Sequence, residues 1–343
     1  MTDLERLGPG SPVQDSLLVL EVDHRSYGEG KDCVVLTLGN ASGRIPSGPF
    51  WSQRRAAVAG LTRGDPVEVT GEIRLYRGRR QLEVREIRQL SRGEVDWRRL
   101  LPAVADVAPY WHLVDEWRSR IRAPRLRGVI GLFYDDPEFR RNYGSCPASP
   151  SGHHAELGGL LRHTCEVGSI GRGIADLCGA DRDLVTAGAL LHDIGKLEAY
   201  TWEAGFAVTE AGALLGHVAL GMLMLVRRTA GTVVLTELEL RILLHLIASH
   251  HGKLEFGAAV PPMTLEAEVL HCADNASAKT ASLADAVSDA DNFQADELVS
   301  ARTIWQLDRR RVYRGRSDWG LESSDPRNGR DSSQNEERPP SRG

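Results

Sequence analysis

The chain has 343 residues, 41% hydrophobic and 26% charged, a balance that marks a soluble globular protein with two or three domains, each able to bury a core of its own. Its 42 basic and 47 acidic side chains leave a formal charge of −5, which excludes bulk basicity and confines any nucleic-acid surface to a local patch. Five cysteines with no CxxC pair exclude a small disulfide framework and point to a reducing, cytoplasmic setting.

The opening MTDLERLGPG is acidic and rich in Gly and Pro and lacks the charged-then-apolar order of a signal peptide, so residues 1–12 are expected as a flexible N-terminus. Residues 13–92 read as strands. LLVLEVDHRSY, DCVVLTLGN, the stretch from Gly43 to Phe50, DPVEVTGEIRLY and RQLEVREIRQL are short β-rich runs punctuated by Gly, Asn, Asp and Pro. Five strands with a helix-like insert at Ser52–Ala59 predict a small Greek-key barrel, and the OB-fold is the commonest with that count. Residues 93–152 carry amphipathic stretches such as LLPAVADVAPYWHLVDEWRSRI and PEFRRNY and are expected as a helical linker ending in the loop-like GSCPASPSG. Residues 153–315 are helical in pattern, over 156–178, 181–194, 213–229, 236–250, 264–286 and, last, 295–311. The most apolar run, Leu214 to Val226, is interrupted by Gly216 and His217 and falls short of a membrane span. Beyond Arg316 the only large apolar residues are Trp319 and Leu321, so 316–343 is expected to be disordered. The predicted fold class is multidomain: an N-terminal all-β OB-fold barrel followed by an all-α domain.

The helical region carries the chemistry. GGLLRHT holds His163, ALLHDIGK holds His192, Asp193 and Lys196, LLGHVAL holds His217, IASHHGK holds His250 and His251, and LHCADNASAK holds Asp274. Neutral imidazoles with carboxylates form the ligand set of first-row divalent cations, and a mixed N/O shell favours Mn²⁺, Fe²⁺ or Zn²⁺ over Ca²⁺. His192 and Asp193 lie about 100° apart around a helix, so both can flank a metal over that edge, and Gly195 is expected to end the helix. A single histidine on an apolar helix is more often a hydrogen-bonded core residue. Five such segments on successive helices point instead to a metal site. His245 and His271 lie inside apolar runs and read as core or surface.

Lys196, one turn after His192, would set a cation near an anionic group held at such a metal site, and is otherwise a solvated helix-terminal lysine; Lys253 and Lys279 are weaker versions of that idea, and His251 is a further candidate for substrate contact. On the barrel, Glu72 to Arg99 contains nine arginines against five acids, a local excess inside an acidic chain. The tip RLYRGRRQ sets Tyr76 among Arg77, Arg79 and Arg80, a stacking ring beside phosphate-binding cations. A charged hairpin is as readily a solvated edge strand.

Taken together, these segments resemble the HD superfamily of metal-dependent phosphohydrolases, whose pattern is H…HD…D with extra histidines in members that hold two metals. On that likeness His163, His192, Asp193 and Asp274 match the core pattern and His217 and His250 the second-metal extension. Two cations bridged by Asp193 would then lower the pKa of a water and clamp the oxygens of a phosphodiester. The order of barrel, linker and HD domain, with GGLLRHT, LLHDIGK, LLGH, SHHGKLEFG and PPMTLEAEVLHCADN, is similar to the YhaM-type bacterial 3′-to-5′ exoribonucleases over about residues 13 to 314. The resemblance implies a homo-oligomer, with no membrane partner, that uses Mn²⁺ to trim single-stranded RNA, or in some members single-stranded DNA, to nucleoside 5′-monophosphates. Two other readings stay open: an HD phosphohydrolase of small nucleotides, and a nucleic-acid-binding protein whose helical domain is only structural.

Overall fold

Period-two alternation builds the N-terminal sheet, whose strands are β1 (Pro12–Ser26), β2 (Asp32–Asn40), β3 (Gly43–Pro46), β4 (Phe50–Trp51), β5 (Pro66–Tyr76) and β6 (Arg79–Gln89). In β5, Val67, Val69 and Ile73 are buried while Glu68 and Arg74 face solvent. The computed structural model describes residues 2–4, 6–26, 32–76, 78–202, 205–294, 296–317 and 319, and all of their side chains except those of Arg92, Arg98 and Asp291. They fall into two compact units, Met1–Ser282 and Leu283–Gly343.

In the first unit the sheet follows the path β3-β2-β1-β5-β6, antiparallel throughout, with β4 on β2. Ser47 makes a parallel bridge to Leu82, and the Gly48 N–H donates to the Leu82 carbonyl at 2.8 Å, so the two ends of the path meet. Val19, Leu36, Ile45, Phe50, Val69 and Leu82 fill the interior. The third expected strand is split by Ser47-Gly48-Pro49, and the insert is a single 3-10 turn, Arg55–Val58. The N-terminus expected to be flexible is, over its described residues, packed. Leu4 is fully buried in the sheet's core, its N–H donates to Ser42 Oγ at 2.9 Å, and Arg80 donates to the carbonyls of Leu4 and Leu7 at 3.1 and 2.9 Å.

The helices are α1 (Trp97–Leu100), α2 (Ala108–Arg120), α3 (Pro124–Tyr134), α4 (Pro137–Tyr143), α5 (Gly159–Cys178), α6 (Arg182–Leu191), α7 (Lys196–Ala199), α8 (Glu210–Thr229), α9 (Glu237–Ser249) and α10 (Leu265–Ser288), with a small hairpin of β7 (Tyr200–Thr201) and β8 (Ala207–Val208) ahead of α8. Side-chain oxygens of Asp136, Asp181, Thr209 and Thr236 cap the starts of α4, α6, α8 and α9 by accepting from first-turn amides. Residues 93–152 do more than link: Val114, Phe133 and Tyr143 share one core with Leu161, Leu190 and Leu246. Leu18, Leu100, Leu101 and Phe206 join that helical body to the sheet. By length and composition alone α8 is long and apolar enough to cross a membrane, longer than the run read from sequence, but Val218, Leu220 and Leu225 are buried in the protein core.

In the second unit Ala286, Phe293, Leu307 and Val312 form a small core. The helix expected over 295–311 is not formed among the described residues. Antiparallel bridges join Val299 to Tyr313 and Ile304 to Arg310 around a 3-10 turn, Trp305–Leu307. Val299, Thr303, Ile304 and Val312 are β-branched and lose rotamer freedom in a helix, and Asp308 and Arg309 adopt left-handed φ values of 55° and 57° that no helix accepts. Of the tail expected to be disordered, all residues from 320 on lie outside those described.

Candidate metal centre

Five helix segments converge on one carboxylate. His163 comes from the first turns of α5; His192 closes α6, and Asp193 follows on a tight turn before α7; His217 follows a break in α8 at Gly216 (φ 72°, ψ 158°); His250 closes α9, with His251 next; Asp274 lies on α10. The Oδ2 atom of Asp193 stands 3.4 Å from His163 Nε2 and 3.2 Å from His192 Nε2, while Oδ1 stands 3.4 Å from His217 Nε2 and 3.8 Å from His250 Nε2. Asp274 Oδ1 is 3.0 Å from His163 Nε2. The donors form two groups, His163–His192–Asp274 and His217–His250–His251, with Asp193 between them.

Gly195 does not end a helix as expected. It has an ordinary right-handed φ of −66° and precedes α7. Its role is close approach: a Cβ there would lie 2.0 Å from the His217 carbonyl oxygen and 2.3 Å from the Gly221 nitrogen, both backbone atoms of α8. The bare backbone lets α8 bring His217 up to Asp193.

The tautomers follow from partners that can only accept. His192 Nδ1–H donates to the Ala189 carbonyl at 2.8 Å and His250 Nδ1–H to the Ile247 carbonyl at 2.7 Å. The Ser277 hydroxyl donates to Glu166 Oε2 at 2.7 Å and therefore accepts from His163 Nδ1–H at 3.0 Å. The Nε2 atoms of His163, His192 and His250 thus turn lone pairs inward, where those of His163 and His192 face each other at 3.4 Å, while the Nε2 atoms of His217 and His251 stand 3.0 Å apart, within reach of a hydrogen bond from one ring to the other. Apart from an ion pair with Lys196 Nζ at 2.6 Å, neither Asp193 oxygen nor His250 Nε2 has a hydrogen-bond partner among the described residues. Buried acceptors facing acceptors are costly unless a cation lies among them, so this donor set fits divalent metal.

Burial alone would raise the Asp193 carboxyl, but Lys196, then His192 and His217, outweigh it and hold it well below the carboxylate range. Burial lowers His163, His250 and His251 and takes His217 to about 3. His192 alone is held up, because Asp193 outweighs burial. Below about pH 6.5 the unfolded chain therefore takes up protons on these four imidazoles and on His153, which burial also takes to about 3, all kept neutral by the metal-free fold, so their stability is present above that pH and is lost as pH falls toward 3. His192 contributes with the opposite sign, one group against five. Thermal melting in chelator should decline steadily between about pH 6.5 and 5; a flat melting temperature over that window would contradict the assignment.

The other sequence-predicted residues divide. His251, read as a substrate contact, stands in the second donor group. Lys196 is buried against Asp193. Lys253 is exposed beside Glu255 and the Phe256 ring, and Lys279 lies half-buried on α10. Tyr76 and Arg79 are exposed on the β5–β6 hairpin, Arg80 is tied to the N-terminal arm, and Arg77 lies outside the described residues. Arg85 and Arg88 pair with Glu72 and Glu68 across the same strands. Sequence reasoning missed Glu166 and Ser277, which fix the His163 tautomer. Burial opposes the ionised Glu166, but hydrogen bonds from His154, Ser277 and Arg162 bring it down to about 2. Each follows a ligand by three residues, Glu166 after His163 and Ser277 after Asp274, and that helical spacing was the available signal. His271, read as core or surface, donates from Nδ1 to the His250 carbonyl at 2.9 Å and steadies that turn.

Residues 160–279 match the model of the HD domain. The chain is 31% identical to a protein of Bacillus subtilis (strain 168) named 3′-5′ exoribonuclease YhaM, over 79% of this chain and 86% of that one. It is 29% identical to the Oceanobacillus iheyensis protein of the same name, over 89% and 94% of the two chains. No solved structure matches.

Proposed function

The chain belongs to the YhaM family of 3′-5′ exoribonucleases, and on that footing we propose that it hydrolyses single-stranded RNA from the 3′ end to nucleoside 5′-monophosphates with divalent metal. The observation that carries the reading is Asp193, whose two oxygens face two separate donor groups. His163, His192 and Asp274 with Oδ2 would hold one cation, and His217, His250 and His251 with Oδ1 the other. Mn²⁺ suits this mixed nitrogen and oxygen set, and Fe²⁺ and Zn²⁺ suit it too. Such a pair supplies Lewis acidity that activates water and neutralises the phosphoryl oxygens. Lys196 keeps Asp193 ionised, and the backbone carbonyls behind His192 and His250 keep each Nε2 aimed inward. His217→Ala or His251→Ala is expected to lower bound Mn²⁺ from about two to about one per chain by elemental analysis; an unchanged ratio would exclude the second site.

We read the N-terminal sheet as an OB-fold, supported by five strands in a path closed by the Ser47–Leu82 bridge, and give it residues 13–92 ahead of the linker and an HD domain to 315. Tyr76 and Arg79, both exposed, are its proposed RNA contacts, with Arg77 beside them in sequence. Exposed Leu215, Leu223 and Val226 on α8 support a homo-oligomer, and five unpaired cysteines support a cytoplasmic setting.

The test is purified protein with Mn²⁺ and 5′-labelled RNA, matched DNA and a panel of free nucleotides. A ladder shortening from the 3′ end is expected. Internal cuts, or turnover of free nucleotides alone, would overturn the reading, the second outcome in favour of a small-nucleotide phosphohydrolase.

A further inference from the structure

We infer that the C-terminal unit carries a second surface for single-stranded RNA, a basic hairpin with exposed aromatic rings; the inference rests on the RNA-directed reading above. Within this unit, residues 283–297 hold five acids and no base, whereas 298–317 hold six arginines, no lysine and one acid, Asp308. That reversal is confined to a built element. The Ser300 N–H donates to the Val312 carbonyl at 2.9 Å and the Arg314 N–H to the Leu298 carbonyl at 2.8 Å. Beneath the hairpin Leu307 and Val312 pack on Phe293 and Ala286, which gives it a rigid base.

On the outside the arrangement inverts what a stable surface prefers. Trp305 is 70% exposed and Tyr313 62% exposed, and Arg302, Arg309, Arg310 and Arg311 are exposed on the same hairpin segment. The Arg309 guanidinium lies 4.6 Å from the Trp305 ring centroid. Asp308 and Arg309, both left-handed, form the turn that presents this pair, a conformation disfavoured for residues with side chains. Flat rings left in water beside arginines are what stacked bases and a phosphate chain require: every base offers a π face, and the guanidinium fork pairs phosphate oxygens bidentately. An acidic protein would be drawn by the same charge, and the test below separates it from RNA. A strand bound by this hairpin would be held while its 3′ end is hydrolysed.

The test uses the full chain in chelator, so that nothing is hydrolysed, with a fluorescent RNA of about 30 nucleotides, longer than one OB-fold covers. Trp305→Ala/Tyr313→Ala and Arg309→Ala/Arg311→Ala should each weaken binding about tenfold. The arginine pair should also flatten the salt dependence by about 0.7 per lost phosphate contact in the log–log slope. With Mn²⁺ restored, dinucleotide hydrolysis should not change. Because all four side chains are exposed, melting temperature should hold and serves as the folding control. Wild-type binding matched by both variants would overturn the hairpin and leave the exoribonuclease reading intact. No RNA affinity in the metal-free wild type would remove the hairpin surface, and the labelled-RNA assay with Mn²⁺ then decides the exoribonuclease reading separately. Loss of polyglutamate binding with RNA binding retained would reassign the surface to an acidic protein.

Discussion

Asp193→Ala is expected to cut RNA hydrolysis by about a thousandfold or more, because the one carboxylate that both donor groups share is gone. The same substitution strands Lys196, whose buried ammonium stands 2.6 Å from Asp193 Oδ2. Breaking one partner out of a buried pair costs about 3–5 kcal/mol, so the single variant should also melt early. The two effects separate in Asp193→Ala/Lys196→Met, which removes the orphaned charge; it should regain most of the lost stability and none of the turnover. Activity measured at saturating Mn²⁺, beside thermal melting, decides. Turnover within tenfold of wild type in either variant would rule out a bridging role for Asp193.

Gly195→Ala should be nearly as damaging without touching a ligand. A methyl group there meets backbone at 2.0 and 2.3 Å, and backbone cannot rotate away as a side chain can. Either α8 retreats, carrying His217 off Asp193, or the HD turn distorts. Overpacking against main chain is expected to cost about 3 kcal/mol or more, with loss of bound metal alongside. A soluble Gly195→Ala protein with normal melting and two bound ions would show that the contact is soft.

Much of the site was legible because its chemistry is local: His163, His192, Asp193, His217, His250 and Asp274 each sit in a short segment whose composition is unusual for a helix. What sequence reasoning could not supply was facing. His251 follows His250, and only the turn after α9 decides that both imidazoles reach one group. The arginine count on β5 and β6 overstated the free positive charge, because cross-strand neighbours in a sheet are distant in sequence and Glu68 and Glu72 answer Arg88 and Arg85. The last helix failed for a related reason. Arginine-rich runs favour helix in isolation, but Leu307 and Val312 can bury themselves on Phe293 through a hairpin.

Asp193 Oδ1 and the His250 nitrogen, enclosed without hydrogen-bond partners among the described residues, and Asp193 Oδ2, answered only by the Lys196 ammonium, also bear on how much of this protein a cell would keep. A fold that closes around unanswered acceptors gains from any ion that answers them, by about 2.7 kcal/mol when free ion stands at a hundred times its dissociation constant. Starving the cell of that ion removes the gain and raises the fraction of chains open to proteases. Metal scarcity would thus lower the protein's abundance as well as its turnover, and RNA decay would slow twice over.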